Sequence, residues 1–189
     1  MKSEKSCRHE KLMGSQTPSD RIVPDYVYTD GPDAVKVLAV GKLIVDPWQS
    51  EVLNDWMGRT EDDVWSAPTC GLSVPRQNGK TLDTSGRIAS GMILYAEWVI
   101  YTAHLQKTAT ETFMELRGLF ESRGLRKHVK EIKAALGREQ IILKNGGRVV
   151  FVARTRNGGR GLHGDCIVFD EAQELTSEQQ ASFLPAISA

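Results

Sequence analysis

Val74-Pro-Arg-Gln-Asn-Gly-Lys-Thr81 lies between the short apolar run Pro68 to Val74 (PTCGLSV) and the segment Lys80 to Ala96, where Leu82, Ala89, Ile93 and Ala96 fall near one helical face. The run reads as a buried strand entering a tight turn, so the order is strand, turn, helix, the setting of a phosphate loop. Gly79, Lys80 and Thr81 match the end of the pattern G-x-x-x-x-G-K-[ST], while Val74 stands where its first glycine is usual. Gly79 lets the backbone turn so that N–H groups of Gln77, Asn78 and Gly79 face phosphate oxygens, helped by the helix N-terminus. Lys80 would reach the β and γ oxygens of ATP, and Thr81 would ligate Mg²⁺. A chance Gly-Lys-Thr at a helix start is the plain alternative.

A second stretch supports the first. Cys166-Ile-Val-Phe-Asp-Glu-Ala-Gln173 runs four apolar residues into adjacent carboxylates about 90 positions downstream of the loop. A buried strand that delivers Asp170 beside a phosphate loop can hold the water shell of Mg²⁺, and Glu171 can orient or deprotonate the attacking water. The pair therefore reads as Walker A and Walker B elements of an ATP-binding hydrolase.

The surrounding pattern is consistent with this. Apolar positions from Asp33 to Trp56 suggest helices interrupted at Gly41 and Pro47; Glu97 to Ala103 reads as a strand, and Leu105, Ala109, Phe113, Leu116 and Phe120 mark an amphipathic helix ended near Gly124. Gln140 to Leu143 and Arg148 to Ala153 form a hairpin through Lys-Asn-Gly-Gly, and Thr176 to Phe183 reads as a last helix capped by Thr-Ser-Glu-Gln. Strands alternating with long helices predict an α/β fold, a mainly parallel central sheet flanked by helices, with ligand beyond the carboxyl ends of the strands. The expected division is a flexible N-terminal arm over 1–32, a helical lead-in over 33–66 and the ATPase core over 67–189.

Composition sets bounds. A chain of 189 residues with 40% apolar and 25% charged residues has the makeup of one ordinary domain, and no run approaches the roughly 20 apolar residues of a membrane span. No membrane partner is expected, and no secretory signal is evident at the start. Cys7, Cys70 and Cys166 lack C-x-x-C spacing, so neither a disulfide framework nor zinc is indicated; Cys70 and Cys166 read as core. The zero net charge hides an asymmetry: Arg117 to Arg160 holds twelve Lys/Arg against Glu121, Glu131 and Glu139. That surplus suits polyphosphate or nucleic acid, although a solvated helical face, here over Arg123 to Lys133, is the commoner fate of such a run.

VPRQNGKT and IVFDEAQEL, with RGLHGD just before the second, resemble the N-terminal ATPase domain of a tailed-bacteriophage terminase large subunit, from Asp46 to the end of the chain. In that family the arginine-bearing loop replaces the glycine-rich one, which accounts for Val74. The resemblance implies a P-loop NTPase of the additional-strand, catalytic-glutamate type, with ATP and Mg²⁺ as cofactors. Arg76 matches the family's loop arginine and would touch the γ-phosphate; a surface arginine is the alternative. Asp46-Pro-Trp-Gln49 resembles the adenine-contacting segment, with Gln49 on the base edge, though Trp48 and Gln49 equally suit a helix start and a core contact. Arg160 aligns with an arginine thought to enter the neighbouring subunit's site, where such a finger contributes roughly 10³ to 10⁵ in rate; a surface turn is the other reading. Tyr101-Thr-Ala-His-Leu-Gln resembles a segment that faces DNA, with His104 otherwise a polar loop residue. Ser188 falls at the start of the coupling segment.

By the same resemblance the protein would be a molecular motor that hydrolyses ATP to drive double-stranded DNA into a procapsid. It would work as a homo-oligomeric ring with a portal protein and a terminase small subunit, in the cytoplasm of an infected bacterium and transiently docked on the procapsid. The family's nuclease domain would follow Ala189, so no nuclease activity is expected. Two other functions fit the same motifs: a helicase-like DNA-dependent ATPase, because Asp170-Glu-Ala-Gln resembles the DEAD-type motif, and a nucleotide-binding assembly subunit with little turnover alone.

Overall fold

The computed structural model describes residues 14–75, 77–155, 158–159 and 161–187. Two helices come first: α1 (Gly31–Val40), opened by Pro32, and α2 (Pro47–Trp56), opened by Asp46 and Pro47. Proline suits a first turn because its missing N–H has no helical partner there. A two-stranded ribbon of β1 (Tyr28–Thr29) and β2 (Gly58–Arg59) brackets them. Ala34, Leu38, Leu53 and Met57 are fully buried against α3 (Lys80–Tyr95), whose Ile88, Ala89 and Met92 form the facing stripe.

The sheet has the order β4-β5-β6-β3-β7. Its centre is β3 (Trp98–Ala103), parallel on one side to β6 (Arg148–Ala153) and on the other to β7 (Cys166–Phe169). β5 (Gln140–Leu143) pairs antiparallel with β6, and β4 (Val129–Lys133) antiparallel with β5. The hairpin between β5 and β6 turns at Gly146, whose φ of +100° is open to glycine and costly for other residues. The sheet is thus mixed: three parallel strands carry an antiparallel ribbon on one edge.

Period-2 alternation splits the core. Val99, Tyr101 and Ala103 of β3 join Val149 and Phe151 beneath α3 and α4 (Gln106–Glu121), while Ile100 meets Phe183 and Ala186 on the opposite face. Phe151 touches both Tyr101 and Phe113, with ring centroids 5.3 and 5.4 Å apart. Phe113 is 1% exposed, so truncation to alanine would cost about 3–5 kcal/mol. On the other face α5 (Ser177–Phe183) packs Phe183 edge-on against Phe169 of β7. Thr176 caps α5 reciprocally with Gln179.

Three expectations from sequence do not hold. Pro68 to Val74 forms no strand: Thr69, Cys70, Gly71 and Ser73 are exposed, and the segment pairs with no strand among the described residues. Prolines at both ends and Gly71 disfavour a ladder once no neighbour offers one. Cys70 is accordingly exposed rather than core, whereas Cys166 is half-buried in β7. The basic run Arg123 to Lys133 is no helical face; a 3-10 turn, Arg126–His128, leads into β4, the sheet edge, with Lys130, Glu131 and Lys133 exposed. Charges on an edge strand oppose pairing with other chains.

Candidate functional site

Because β3, β6 and β7 run parallel, their carboxyl ends share one end of the sheet, and the loop before α3 meets them there. Gly79 is the N-cap of α3 with φ +81°, and a Cβ there would approach Gln49 Nε2 at 3.0 Å. Gln77, also at positive φ, Asn78 and Gly79 are exposed; Thr81 is half-buried, and its hydroxyl has no hydrogen bond among the described residues. The first N–H groups of a helix have no helical acceptor, so this end offers donors and the positive pole of the helix to an anion.

Lys80 Nζ lies 2.5 Å from Asp170 Oδ1, joining positions 90 residues apart. The same oxygen accepts from Glu171 N–H at 2.9 Å, and Oδ2 accepts from Tyr101 Oη at 2.5 Å. Burial alone would raise the Asp170 carboxyl, but the hydrogen bonds from Lys80 and Tyr101 overcome it and hold the group below its ordinary range. Tyr101 is fully buried and pushed well up by burial and by Asp170; Thr112 Oγ1, 2.9 Å away, completes its environment.

Glu171 follows at φ +52°, ψ +52°, a left-handed conformation uncommon for a residue with a side chain. Arg154, 5% exposed at the end of β6, donates from Nη1 to Asp170 O at 2.6 Å and from Nη2 to Glu171 O at 3.0 Å. Burial lowers the pKa of this guanidinium, partly offset by the charges of Asp170 and Glu171.

Gln49 sits behind the loop. It is 3% exposed, its Oε1 accepts from Asp46 N–H at 2.8 Å, and its Nε2 donates to Gly79 O at 3.0 Å. The carboxamide therefore ties α2 to the loop; these bonds engage the groups that a base edge would use. Beside it Asp83 is fully buried, with neither carboxyl oxygen hydrogen-bonded among the described residues, and burial pushes it up to about 7, the nearby Gln49 offsetting a part.

Lys80, Thr81, Gln77, Asn78 and Gly79 are thus at one end of the sheet with Asp170 and Glu171. Arg76, Arg160 and Ser188 lie outside the described residues. His104 is exposed at the end of β3. The sequence reading missed Arg154 and Asp83, and it took Tyr101 only as the start of a segment facing DNA, whereas Tyr101 is fully buried and bonded to Asp170. Arg154 did leave a trace, a charge that closes the apolar run Arg148 to Ala153; Tyr101 and Asp83 sit in their patterns without one.

No protein-family profile matches the chain, and no curated protein matches it. Among solved structures, the crystal structure of the HK97 bacteriophage large terminase superposes with a TM-score of 0.67 at 15% identity, over 85% of this chain. The chain spans 35% of the length of that protein. A likeness at this identity speaks to the fold, which is that of a terminase-like α/β domain.

Proposed function

We propose that this chain is the ATPase motor domain of a viral DNA-packaging terminase, hydrolysing ATP to drive double-stranded DNA into a procapsid. The observation that carries the reading is the meeting of Lys80 with Asp170 at 2.5 Å, at the carboxyl end of β7, with Glu171 adjacent. A cation from a loop that opens a helix, a low-lying carboxylate on a strand end and a second carboxylate beside it are the parts that phosphoryl transfer to water requires.

The donor set fits the cofactors. Among the described residues no cluster of three or more His, Cys, Asp or Glu could hold a metal, and Mg²⁺ bound with ATP needs only one or two protein oxygens because phosphates and water fill the rest. Thr81 and Asp170 would supply those oxygens. When bound, Mg²⁺ neutralises charge on the phosphates. The protein's own groups do the remainder. Lys80 and the N-terminal N–H groups of α3 bind phosphate oxygens, Gln49 braces the loop through Gly79, and the Glu171 carboxylate orients water and accepts its proton.

The likeness to a large terminase raises this reading above other uses of the same loop. The proposal extends to the partners: duplex DNA, further copies of the chain in a ring with Arg160 acting between them, a portal protein and a small subunit, in the cytoplasm of an infected bacterium. The test is Mg²⁺-dependent ATP turnover with and without linear duplex DNA. Turnover that DNA raises regardless of its sequence, and that Glu171→Gln abolishes, is the expected result. Turnover indifferent to Glu171→Gln would overturn it.

A further inference from the structure

We propose that Arg154 is a positioning residue that sets the direction of the Glu171 side chain by clamping both peptide groups on either side of its Cα. The inference rests on the reading of Glu171 as the water-orienting carboxylate.

The geometry is specific to an arginine. Asp170 O and Glu171 O belong to the two peptide planes flanking the Glu171 Cα, so fixing both oxygens fixes φ and ψ at that residue. One planar guanidinium holds them, Nη1 at 2.6 Å and Nη2 at 3.0 Å, and Nη1 also donates to Thr102 O at 3.3 Å. A rigid fork matches such paired acceptors, whereas an ammonium presents a single centre. Arg154 makes no ion pair among the described residues; its hydrogen bonds go to carbonyls. Its Nε is buried and has no hydrogen-bond partner among the described residues, so the residue is held through its two terminal nitrogens.

The clamp is itself anchored. Arg154 N–H donates to Ala103 O at 2.8 Å, and its carbonyl accepts from Gln179 at 3.5 Å, tying it to β3 and α5. Glu171 at φ +52° is the kind of strained position that persists only where its surroundings over-determine it. Of the other restraints, Asp170 N–H to Thr102 O and Glu171 N–H to Asp170 Oδ1 act on the amide side, and Glu174 N–H to Glu171 O at 3.0 Å acts on one carbonyl; among the described residues Arg154 alone holds both carbonyls. Releasing them lets the carboxylate swing, and a displacement of about 1 Å at a reacting group costs on the order of 10² in rate.

The test compares wild type, Arg154→Gln, Arg154→Lys and Glu171→Gln in three measurements: Mg²⁺-ATP turnover against ATP concentration, binding of a fluorescent ATP analogue, and amide hydrogen exchange. Arg154→Gln is expected to lower kcat about 10- to 100-fold with KM and analogue affinity within about threefold, and Arg154→Lys to recover part of the loss. Amides of Glu171, Glu174 and Leu175 are expected to exchange at least about tenfold faster while those of β3 keep their wild-type rates. Wild-type kcat and exchange in Arg154→Gln would overturn the proposal. So would a joint change of kcat, KM and β3 exchange, which marks a residue needed for the fold as a whole. If Arg154→Gln does not fold, Arg154→Lys decides: a fall in kcat at unchanged KM supports the clamp, and unchanged kcat refutes it. Equal turnover by wild type and Glu171→Gln would refute the ATPase reading instead, and the exchange rates alone then judge the clamp.

Discussion

Asp83→Asn isolates the buried carboxyl beneath the loop. Asp83 is fully buried in the first turn of α3 without hydrogen bonds to either oxygen among the described residues, and burial moves its pKa from 3.8 to about 7. The native state therefore holds this proton more tightly than the unfolded chain does. Its contribution to stability is complete below about pH 4, falls as pH rises and levels off above about 7. A gap of about three units at 1.36 kcal/mol each gives about 4 kcal/mol as the full difference, spread at about 1.4 kcal/mol per pH unit. Asparagine has the same shape and never ionises, so the variant lacks this limb while every other titration is shared. Urea unfolding of both proteins from pH 4 to 8 reads the difference directly. Asp83→Asn is expected to match wild type near pH 4 and to exceed it by up to about 4 kcal/mol at pH 8. Parallel pH profiles, or a variant weaker than wild type at pH 8, would refute the argument that burial raises Asp83 by more than Gln49 offsets.

Tyr101→Phe removes the donor to Asp170 Oδ2 and the partner of Thr112; it is expected to cost about 1–3 kcal/mol of stability and to raise the Mg²⁺ concentration needed for turnover, read by denaturation and by Mg²⁺ titration. Asp170 is held low by Lys80 and Tyr101 against its burial, so its contribution is present above its ordinary range and lost as pH falls below it. Acid unfolding between pH 5 and 2.5 should accordingly be steeper for wild type than for Asp170→Asn. On β4, Lys130→Glu with Lys133→Glu tests the basic edge. If it tracks DNA phosphates, the slope of log affinity against log salt becomes shallower by about one for each phosphate no longer neutralised, and an unchanged slope in a filter-binding titration places DNA elsewhere.

Much of the fold is legible in the sequence because its signals are local. The break between α1 and α2 falls at Gly41 and Pro47, the stripe of α4 follows Ala109, Phe113, Leu116 and Phe120, and the Lys-Asn-Gly-Gly turn joins two antiparallel strands. Where pairing decides, local pattern fails. Pro68 to Val74 has the apolar content of a strand and no ladder to join, and Arg123 to Lys133 has the charge of a helical face yet pairs through Val129, Glu131, Ile132 and Lys133 with β5. The site divides in the same way. Lys80, Thr81, Asp170 and Glu171 stand in motifs, so chemistry at fixed spacing exposes them. Tyr101 and Arg154 act through register, which sets β3 beside β7 and β6 on the other side of β3, from where Arg154 reaches Asp170 past Thr102 O; no spacing in one strand encodes a contact with another.

The most direct test of the central claim is Mg²⁺-ATP turnover per chain over a wide range of protein concentration, for wild type beside Lys80→Ala and Glu171→Gln. Turnover that rises with concentration in wild type and is absent from both variants is the expected result, as a site completed between neighbouring copies requires. Turnover equal in all three proteins at every concentration would contradict it.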